Sequence, residues 1–453
     1  MLFNSYEYLL LFLPIALIGY VALARHSRTA LVWLCAASLF FYGWWNPLHL
    51  VVIIGSIALN FGIARRIIAS TRHARTWLWL GIFGNLALLG LFKYTHFVLG
   101  VAGLSDGLPA MALPLGISFF TFTQIAYLVD TARGEVKETN PIFYTLFVTF
   151  FPHLLAGPII HHKEMMPQFA DASRRFFNAD NVARGLFLLA LGLGKKVLIA
   201  DPLGLVSNAG YANIAALDAQ GAWFVTLAYT FQLYFDFSGY TDMALGAALM
   251  FNITLPINFN SPYRATTIQD FWRRWHITLS RFLRDYLYIP LGGNRQGKLG
   301  VAVAIFTTFV LGGLWHGAGW TFILWGAAHG LALIAFRLWQ QAGKPLPIWL
   351  SWLLTFLFVH LSWVFFRAGS LADAMLMFKK LIPNLLLVST MPTMSIAGGT
   401  LIIAIVITAW PRNSNHLAQR FAARWWESAI SVGCLVAGVL TFSQVTQFLY
   451  FNF

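Results

Sequence analysis

Among the side chains here that can move a proton, His316 keeps the most unusual company. The stretch Phe306 to Gly326, FTTFVLGGLWHGAGWTFILWG, holds no other charged or titratable residue. A polar group in an apolar membrane segment is costly, so it usually faces a protein cavity and carries a task. Gly312, Gly313, Gly317 and Gly319 flank it and let another backbone or a ligand come close. An imidazole titrates near neutral pH and can take a proton from a hydroxyl, which makes His316 the first candidate for a general base. A second imidazole, His276, stands forty residues earlier in FWRRWH, against the plain alternative of a surface-helix histidine.

Other polar groups are weaker candidates. Asp236, Ser238, Tyr240 and Asp242 lie in the apolar run YFDFSGYTDMALG. A carboxylate there is rarely idle; it orients a histidine or pairs with a buried arginine. Lys195 and Lys196 read as anchors that snorkel from a span end. His153, His161, His162 and His329 read more simply as structural hydrogen-bonding groups. The chain has no G-x-S-x-G elbow, CxxC pair, HExxH pair or Walker loop. Covalent serine catalysis, zinc hydrolysis and ATP hydrolysis lose support, and no metal-ligand set is expected. Two imidazoles and a basic entrance suit base-assisted transfer of an activated acyl group.

These groups must be held by a membrane protein. Of the 453 residues 58% are hydrophobic and 10% charged, with mean hydropathy +0.68, whereas a soluble protein carries about 25% charged residues. The expected fold is an all-α polytopic membrane protein forming one integral domain over 1–453, with a core at 113–338 and peripheral helices at 1–112 and 339–453. The net charge of +14 is explained by Lys and Arg gathered in cytoplasmic loops, so no nucleic-acid partner is implied. Cys35 and Cys434 lie in apolar runs and imply no disulfide framework. The N-terminus lacks the basic start of a cleaved signal, so the first apolar run is expected to stay as a helix.

Apolar runs that span or nearly span fall at 8–24, 30–45, 48–64, 77–93, 113–129, 183–200, 221–250, 300–316, 319–337, 348–366, 398–411 and 428–448. Residues 141–160 are also apolar but are interrupted by Pro152, His153, Gly157 and Pro158. That piece reads as a re-entrant or broken helix buried in protein. Arg25 and Arg28 follow the first run, and Arg65, Arg66, Arg72 and Arg75 the third, while 201–220 carries only the acids Asp201 and Asp218. The positive-inside rule then places both termini on the periplasmic side.

The longest polar stretch is 255–300. Phe271, Trp275, Leu279, Phe282 and Tyr286 recur at helical spacing as one stripe, with Arg273, Arg274, Arg281 and Arg284 on the opposite side. Such a helix lies on the membrane surface with its basic face toward the cytosol. His276 falls at the edge between the faces, beside Trp272 and Leu283, a position from which it can point into the protein. The arginines have two readings: contact with anionic membrane lipids, or contact with the phosphates of a soluble cofactor.

The segments YFDFSGYTDMALG, FNSPY, FWRRWHITLSRFLRDYLYIPLGGN and LGGLWHGAGWTFILWGAAHG, in this order, resemble the bacterial branch of the membrane-bound O-acyltransferases, in particular its alginate O-acetyltransferase-like members. LFNSYEYLLLFLPI and FPHLLAGPII fit as well, and the match loosens after about residue 335. The resemblance implies a ring of tilted transmembrane helices around a tunnel, with interfacial and re-entrant helices. It places the family's catalytic histidine on His316 and its second polar position, Asn or His by subfamily, on His276. No cofactor is held; acetyl-CoA is the donor substrate, with its phosphates near Arg273, Arg274, Arg281 and Arg284. His316 is expected to act as base, and His276 to position the thioester or stabilise the oxyanion. In a bacterial inner membrane the acetyl group would pass to an SGNH-hydrolase-like periplasmic partner within a polysaccharide synthesis and export complex. An alginate-like exopolysaccharide is the expected acceptor. Cellulose, a teichoic acid, or a polysaccharide transporter or export scaffold are the alternatives.

Overall fold

A computed structural model describes residues 1–70, 72–104, 113–136, 139–343, 345–382, 394–441 and 448–449. Among them every regular element is a helix. The protein is a multi-pass membrane protein. Among the described residues, five helices are long and apolar enough to cross a bilayer: Leu48–Ala69, Ala74–Val101, Gly297–His316, Trp320–Gln341 and Ile348–Arg367. The Ala74–Val101 helix has only 11% of its apolar window buried, so most of its surface is left for lipid.

Other expected runs give shorter or differently built helices, because local features cut them. The run at 113–129 becomes helical only at Ile117, after Gly116 with φ 69°. The run at 183–200 widens into a π-turn at Lys195–Ala200. Residues 442–447 of the run at 428–448 lie outside the described residues. Ala219–Met250, 32 residues long, is buried along nearly all its length.

The residues group into two compact units. The first takes in Met1–Leu191, Tyr240–Pro256 and the chain from Phe421; the second takes in Gly192–Gly239 and Ile257–Arg420. In the first, apolar helices are tied by amides. Asn85 donates to Asn60 at 2.6 Å, Gln124 donates to Ser56 at 2.8 Å, and Tyr144 donates to Gln124 at 3.1 Å. Lipid supplies no hydrophobic drive between helices, so such buried hydrogen bonds and close packing hold them. The 141–160 segment is the expected broken helix. Pro141–Thr149, capped by Asn140, stops at Phe150, and Phe151–Leu154 resumes it. Residues 150–160 are all buried.

In the second unit, the Gly297–His316 and Trp320–Gln341 helices form a tight hairpin. A Cβ added at Gly313 would strike the Phe322 carbonyl, and one at Gly326 the Phe309 carbonyl. Only glycine allows backbones this close. Two sequence-based expectations need correction here. Lys196 is no snorkelling anchor: it is 2% exposed and lies 2.7 Å from Asp236 and 2.8 Å from Asp201. The π-turn carries it away from the run's helical periodicity. Asp236 is therefore paired with a lysine, where a histidine or arginine was expected.

Breaking a buried ion pair by removing one partner costs about 3–5 kcal/mol, whereas replacing both by apolar groups costs much less. Lys196→Met and Asp236→Leu should each strongly lower the melting temperature of detergent-solubilised protein. The double variant should recover only part of the loss, because Asp201, the lysine's second carboxylate at 2.8 Å, stays. Additive losses would show that the two charges are not coupled.

Candidate active site

The stretch that carries His276 folds differently from a single amphipathic helix. Ile268–Arg274 is one short helix, capped by Thr267, whose Oγ1 accepts from Asp270 N–H at 3.0 Å. Trp275 is extended, and His276 is left-handed at φ 43° and ψ 53°. A second short helix, Ile277–Leu283, follows. The stripe survives in part: Phe271, Trp275, Leu279 and Phe282 are buried. His276, placed by the sequence at the edge of the faces with an inward orientation open to it, is 0% exposed and points into the protein. The left-handed residue turns its ring inward, a conformation that sequence periodicity cannot express.

The extended residues 257–260 hold this turn from both sides. Asn260 N–H donates to Arg274 O at 2.9 Å, and Ile277 N–H donates to Asn258 O at 3.0 Å. The buried Asn258 side chain adds more: its Oδ1 accepts from Thr278 N–H at 3.3 Å and Thr278 Oγ1 at 3.0 Å, and lies 3.0 Å from His276 Nδ1. Asn258 is the residue that sequence reasoning missed. Its signal was a lone amide between Ile257 and Phe259, one residue upstream of FNSPY.

His316 is the last residue of its helix and is 3% exposed. The chain turns back directly after it, through Gly317 and Gly319. Its ring meets Trp315 at 4.9 Å, Trp325 at 5.2 Å and Phe366 at 5.2 Å, all edge-on. The His276 ring lies 6.4 Å away, centre to centre. The two histidines singled out from sequence thus meet in one aromatic cluster. Trp363 stacks on Trp325 at 5.7 Å and touches Trp275 at 5.0 Å, so the walls behind the two rings are continuous. His276 lies outside the membrane-spanning helices, and burial pushes its pKa down to about 3. It is neutral at physiological pH.

The arginines divide. Arg274 pairs with Asp270 at 2.9 Å and Arg284 with Asp285 at 2.7 Å. Arg273 is exposed and, among the described residues, forms no ion pair; Arg281 is half-buried. An apolar groove of about 950 Å³, lined by Thr267, Ile268, Phe336, Trp339 and Phe358, includes none of the predicted site residues.

His329, His161 and His162 have local partners, and His153 is buried in the broken helix. His329 Nδ1 accepts from Trp272 Nε1–H at 3.3 Å. Its Nε2–H faces Ser362 Oγ at 2.9 Å, whose own proton goes to Val359 O. In the first unit, Asp130, His161 and His162 bring ligand atoms within 4.8 Å of one another, a spacing that can hold a cation. However, Lys163 N–H donates to His161 Nδ1 at 3.3 Å, so the ring's proton sits on Nε2, 2.9 Å from Asp130 Oδ2. His162 Nδ1 reaches the same oxygen at 3.3 Å. A metal on His161 would have to displace both that proton and the helix cap, so the trio reads as a hydrogen-bonded cluster.

Comparison with known proteins places this geometry in context. The model of the membrane-bound O-acyltransferase family matches residues 67–367. The chain is 42% identical to a peptidoglycan O-acetyltransferase of Helicobacter pylori, over 100% of this chain and 98% of that protein. It is 41% identical to a probable alginate O-acetylase, AlgI, of Pseudomonas aeruginosa, over 90% of this chain and 81% of that protein. A teichoic acid D-alanyltransferase of Bacillus subtilis is 30% identical over 51% of this chain and 62% of its own length.

The turn at His276 makes a stability prediction. His276→Val should cost more than His276→Asn, because a β-branched residue is strained in the left-handed region by about 1–3 kcal/mol while Asn tolerates it. A second difference follows from titration. Burial lowers the folded pKa of His276 below its unfolded value of about 6.5. Its neutral burial therefore stabilises fully above about pH 6.5 and is progressively lost as pH falls toward 3. Between pH 6.5 and 5 this is about 2 kcal/mol. Melting curves should show wild type losing more stability than His276→Asn over that interval. Parallel losses would mean that this ring is protonated in the folded protein.

Proposed function

The chain belongs to the membrane-bound O-acyltransferase family and is an O-acyltransferase, and within that activity we propose acetyl transfer from cytoplasmic acetyl-CoA to a polysaccharide hydroxyl outside the inner membrane. The observation that carries the reading is the pair of buried imidazoles, 6.4 Å apart, in an aromatic cluster beside a basic segment; in this reading the cluster walls the reaction chamber. His316 takes the proton of the attacking hydroxyl; the oxygen attacks the thioester carbonyl, and a C–O bond forms. The C–S bond then breaks, and the proton passes from His316 to the departing thiolate. His276 is the second polar group of the chamber and orients the reactants. Excluding water matters here, because hydrolysis would waste the thioester.

Arg273 is the better candidate for the donor's phosphates, because it is exposed while Arg274 and Arg284 are held by acids of their own segment; Arg281, one helix further on, lies on the same basic stretch. In this reading the 255–300 segment faces the cytosol, both termini face the periplasm, and the first acceptor is a hydroxyl of an SGNH-hydrolase-like partner serving the polymer. The full-length match to the peptidoglycan O-acetyltransferase favours peptidoglycan over alginate as that polymer.

Purified protein in nanodiscs should transfer label from radioactive acetyl-CoA. His316→Ala should lose about 10²–10⁴-fold in rate while still binding acetyl-CoA, because general-base catalysis typically contributes that much. Substantial transfer by this variant would move the base elsewhere. Arg273→Gln with Arg281→Gln should raise the KM for acetyl-CoA about tenfold, a charged contact being worth roughly 1.5–3 kcal/mol; an unchanged KM would return these residues to lipid contact. Single cysteines at Arg295 and Asp218, in a background lacking Cys35 and Cys434, should label from opposite sides of the membrane. In cells, deletion of the gene should lower the O-acetyl content of peptidoglycan; loss confined to an exopolysaccharide would reassign the polymer.

A further inference from the structure

The hydrogen bonds around Asn258 fix more than the position of the His276 ring. A backbone N–H can only donate, so the Thr278 amide must face the oxygen of the Asn258 carboxamide and not its nitrogen. That removes the usual ambiguity in the orientation of an asparagine. The same oxygen lies 3.0 Å from His276 Nδ1, and an oxygen acceptor there requires a proton on Nδ1. In a neutral imidazole with its proton on Nδ1, Nε2 carries the lone pair. Neutrality follows from complete burial of the ring, which is 0% exposed and packed edge-on against Phe237 at 4.9 Å.

We propose that Asn258 is a positioning residue of this acyl transfer: it holds His276 in the Nδ1–H tautomer, so that Nε2 meets the reactants as a hydrogen-bond acceptor. The proposal rests on the acyltransferase site described above and sharpens the role of its second histidine. From sequence, His276 was expected to hold the thioester carbonyl or the oxyanion. Both of those groups only accept, so a neutral ring with its lone pair on Nε2 does not hold them. What it does hold is a hydroxyl proton. The His276 and His316 rings are 6.4 Å apart, a separation that one oxygen atom hydrogen-bonded to both at about 2.8 Å can bridge. An acceptor alcohol between the two rings has one proton to give; it would point that proton at His276 Nε2 as it docks and turn it to His316, the base, for the attack. Thr278 supports the arrangement by donating twice to the same carbonyl, which keeps the amide from turning its NH₂ toward the imidazole.

The tautomer can be read directly. Wild-type protein with ¹⁵N-labelled histidine, reconstituted in lipid, contains twelve histidines, and His276→Asn identifies the signals of this ring by difference. Nδ1 should resonate as a protonated nitrogen and Nε2 as an unprotonated one at neutral pH. A protonated Nε2 overturns the proposal, whatever the activity. Kinetics give a second reading. Asn258→Asp keeps an acceptor on Nδ1 and should retain kcat within about fivefold, while Asn258→Ala frees the ring and should lower kcat by about 10–10³-fold, short of the about 10⁴ seen when a protease histidine takes the wrong tautomer. The KM for acetyl-CoA should stay within about twofold, since neutral His276 does not hold the thioester. In a His276→Ala background, Asn258→Ala should add little. Equal kcat losses in Asn258→Asp and Asn258→Ala would overturn the tautomer role, and a raised KM would restore the donor role. If wild-type protein shows no acetyl transfer with the expected tautomer present, it is the proposed function that fails, and the tautomer assignment stands.

Discussion

A single buried oxygen, Oδ1 of Asn258, carries the geometry of the site. It gathers Thr278 N–H, Thr278 Oγ1 and His276 Nδ1 around one point. A left-handed residue other than glycine costs about 1–3 kcal/mol. Each net hydrogen bond returns about 1 kcal/mol, and more is at stake when the alternative is an unsatisfied buried group. The turn at His276 therefore persists because Asn258 and the extended segment around it over-determine it. Were residues 268–283 to form one continuous helix, His276 would return to the edge of the basic face and the two imidazoles would separate. The break in the helix is thus what makes a site of two distant sequence motifs.

The second histidine depends on a different kind of constraint. His316 ends its helix, and its place is set by backbone contact between Gly313 and Phe322 and between Gly326 and Phe309. Large side chains then wall the space that the glycines leave narrow, with Trp315, Trp325 and Phe366 against the ring. Small residues bring the helices together and aromatic ones fill the end of the hairpin, so the position of His316 is over-determined by packing where that of His276 is over-determined by hydrogen bonds. A membrane protein has both resources: close van der Waals packing substitutes for the hydrophobic drive, and a buried polar contact is hard to exchange for water.

Membrane class, the broken helix at 141–160 and the pairing of His276 with His316 were legible in the sequence, the last through motif resemblance as well as through lone imidazoles in apolar surroundings. What was not legible depended on exact local geometry. A period of 3.6 residues predicts a helix through FWRRWHITLSRF and gives no notice of one residue at positive φ. The same period places Lys196 at a lipid-facing span end, because it cannot anticipate the π-turn that carries the ammonium to Asp236. Asn258 was passed over because an amide has no titration and this one lies outside the motifs that singled out the two histidines. Its importance comes from what it accepts, which requires the partners to be seen.

These constraints explain why position 276 admits so narrow a choice of residue. The backbone there is left-handed, and apart from glycine the side chains best tolerated in that region are Asn, Asp and His. A buried, uncharged setting removes Asp, which would arrive as an unpaired carboxylate facing the Asn258 oxygen. Glycine satisfies the backbone but brings no polar atom to the chamber. The residues left are His and Asn, the two types that the family resemblance assigns to this position. Each can donate to the Asn258 oxygen while presenting an acceptor on its other side, through imidazole Nε2 or through the carboxamide oxygen. Backbone conformation and hydrogen-bond polarity thus select the same pair of residues independently. The shared property is an acceptor facing the reactants, which can hold the hydroxyl of an incoming alcohol before His316 takes its proton.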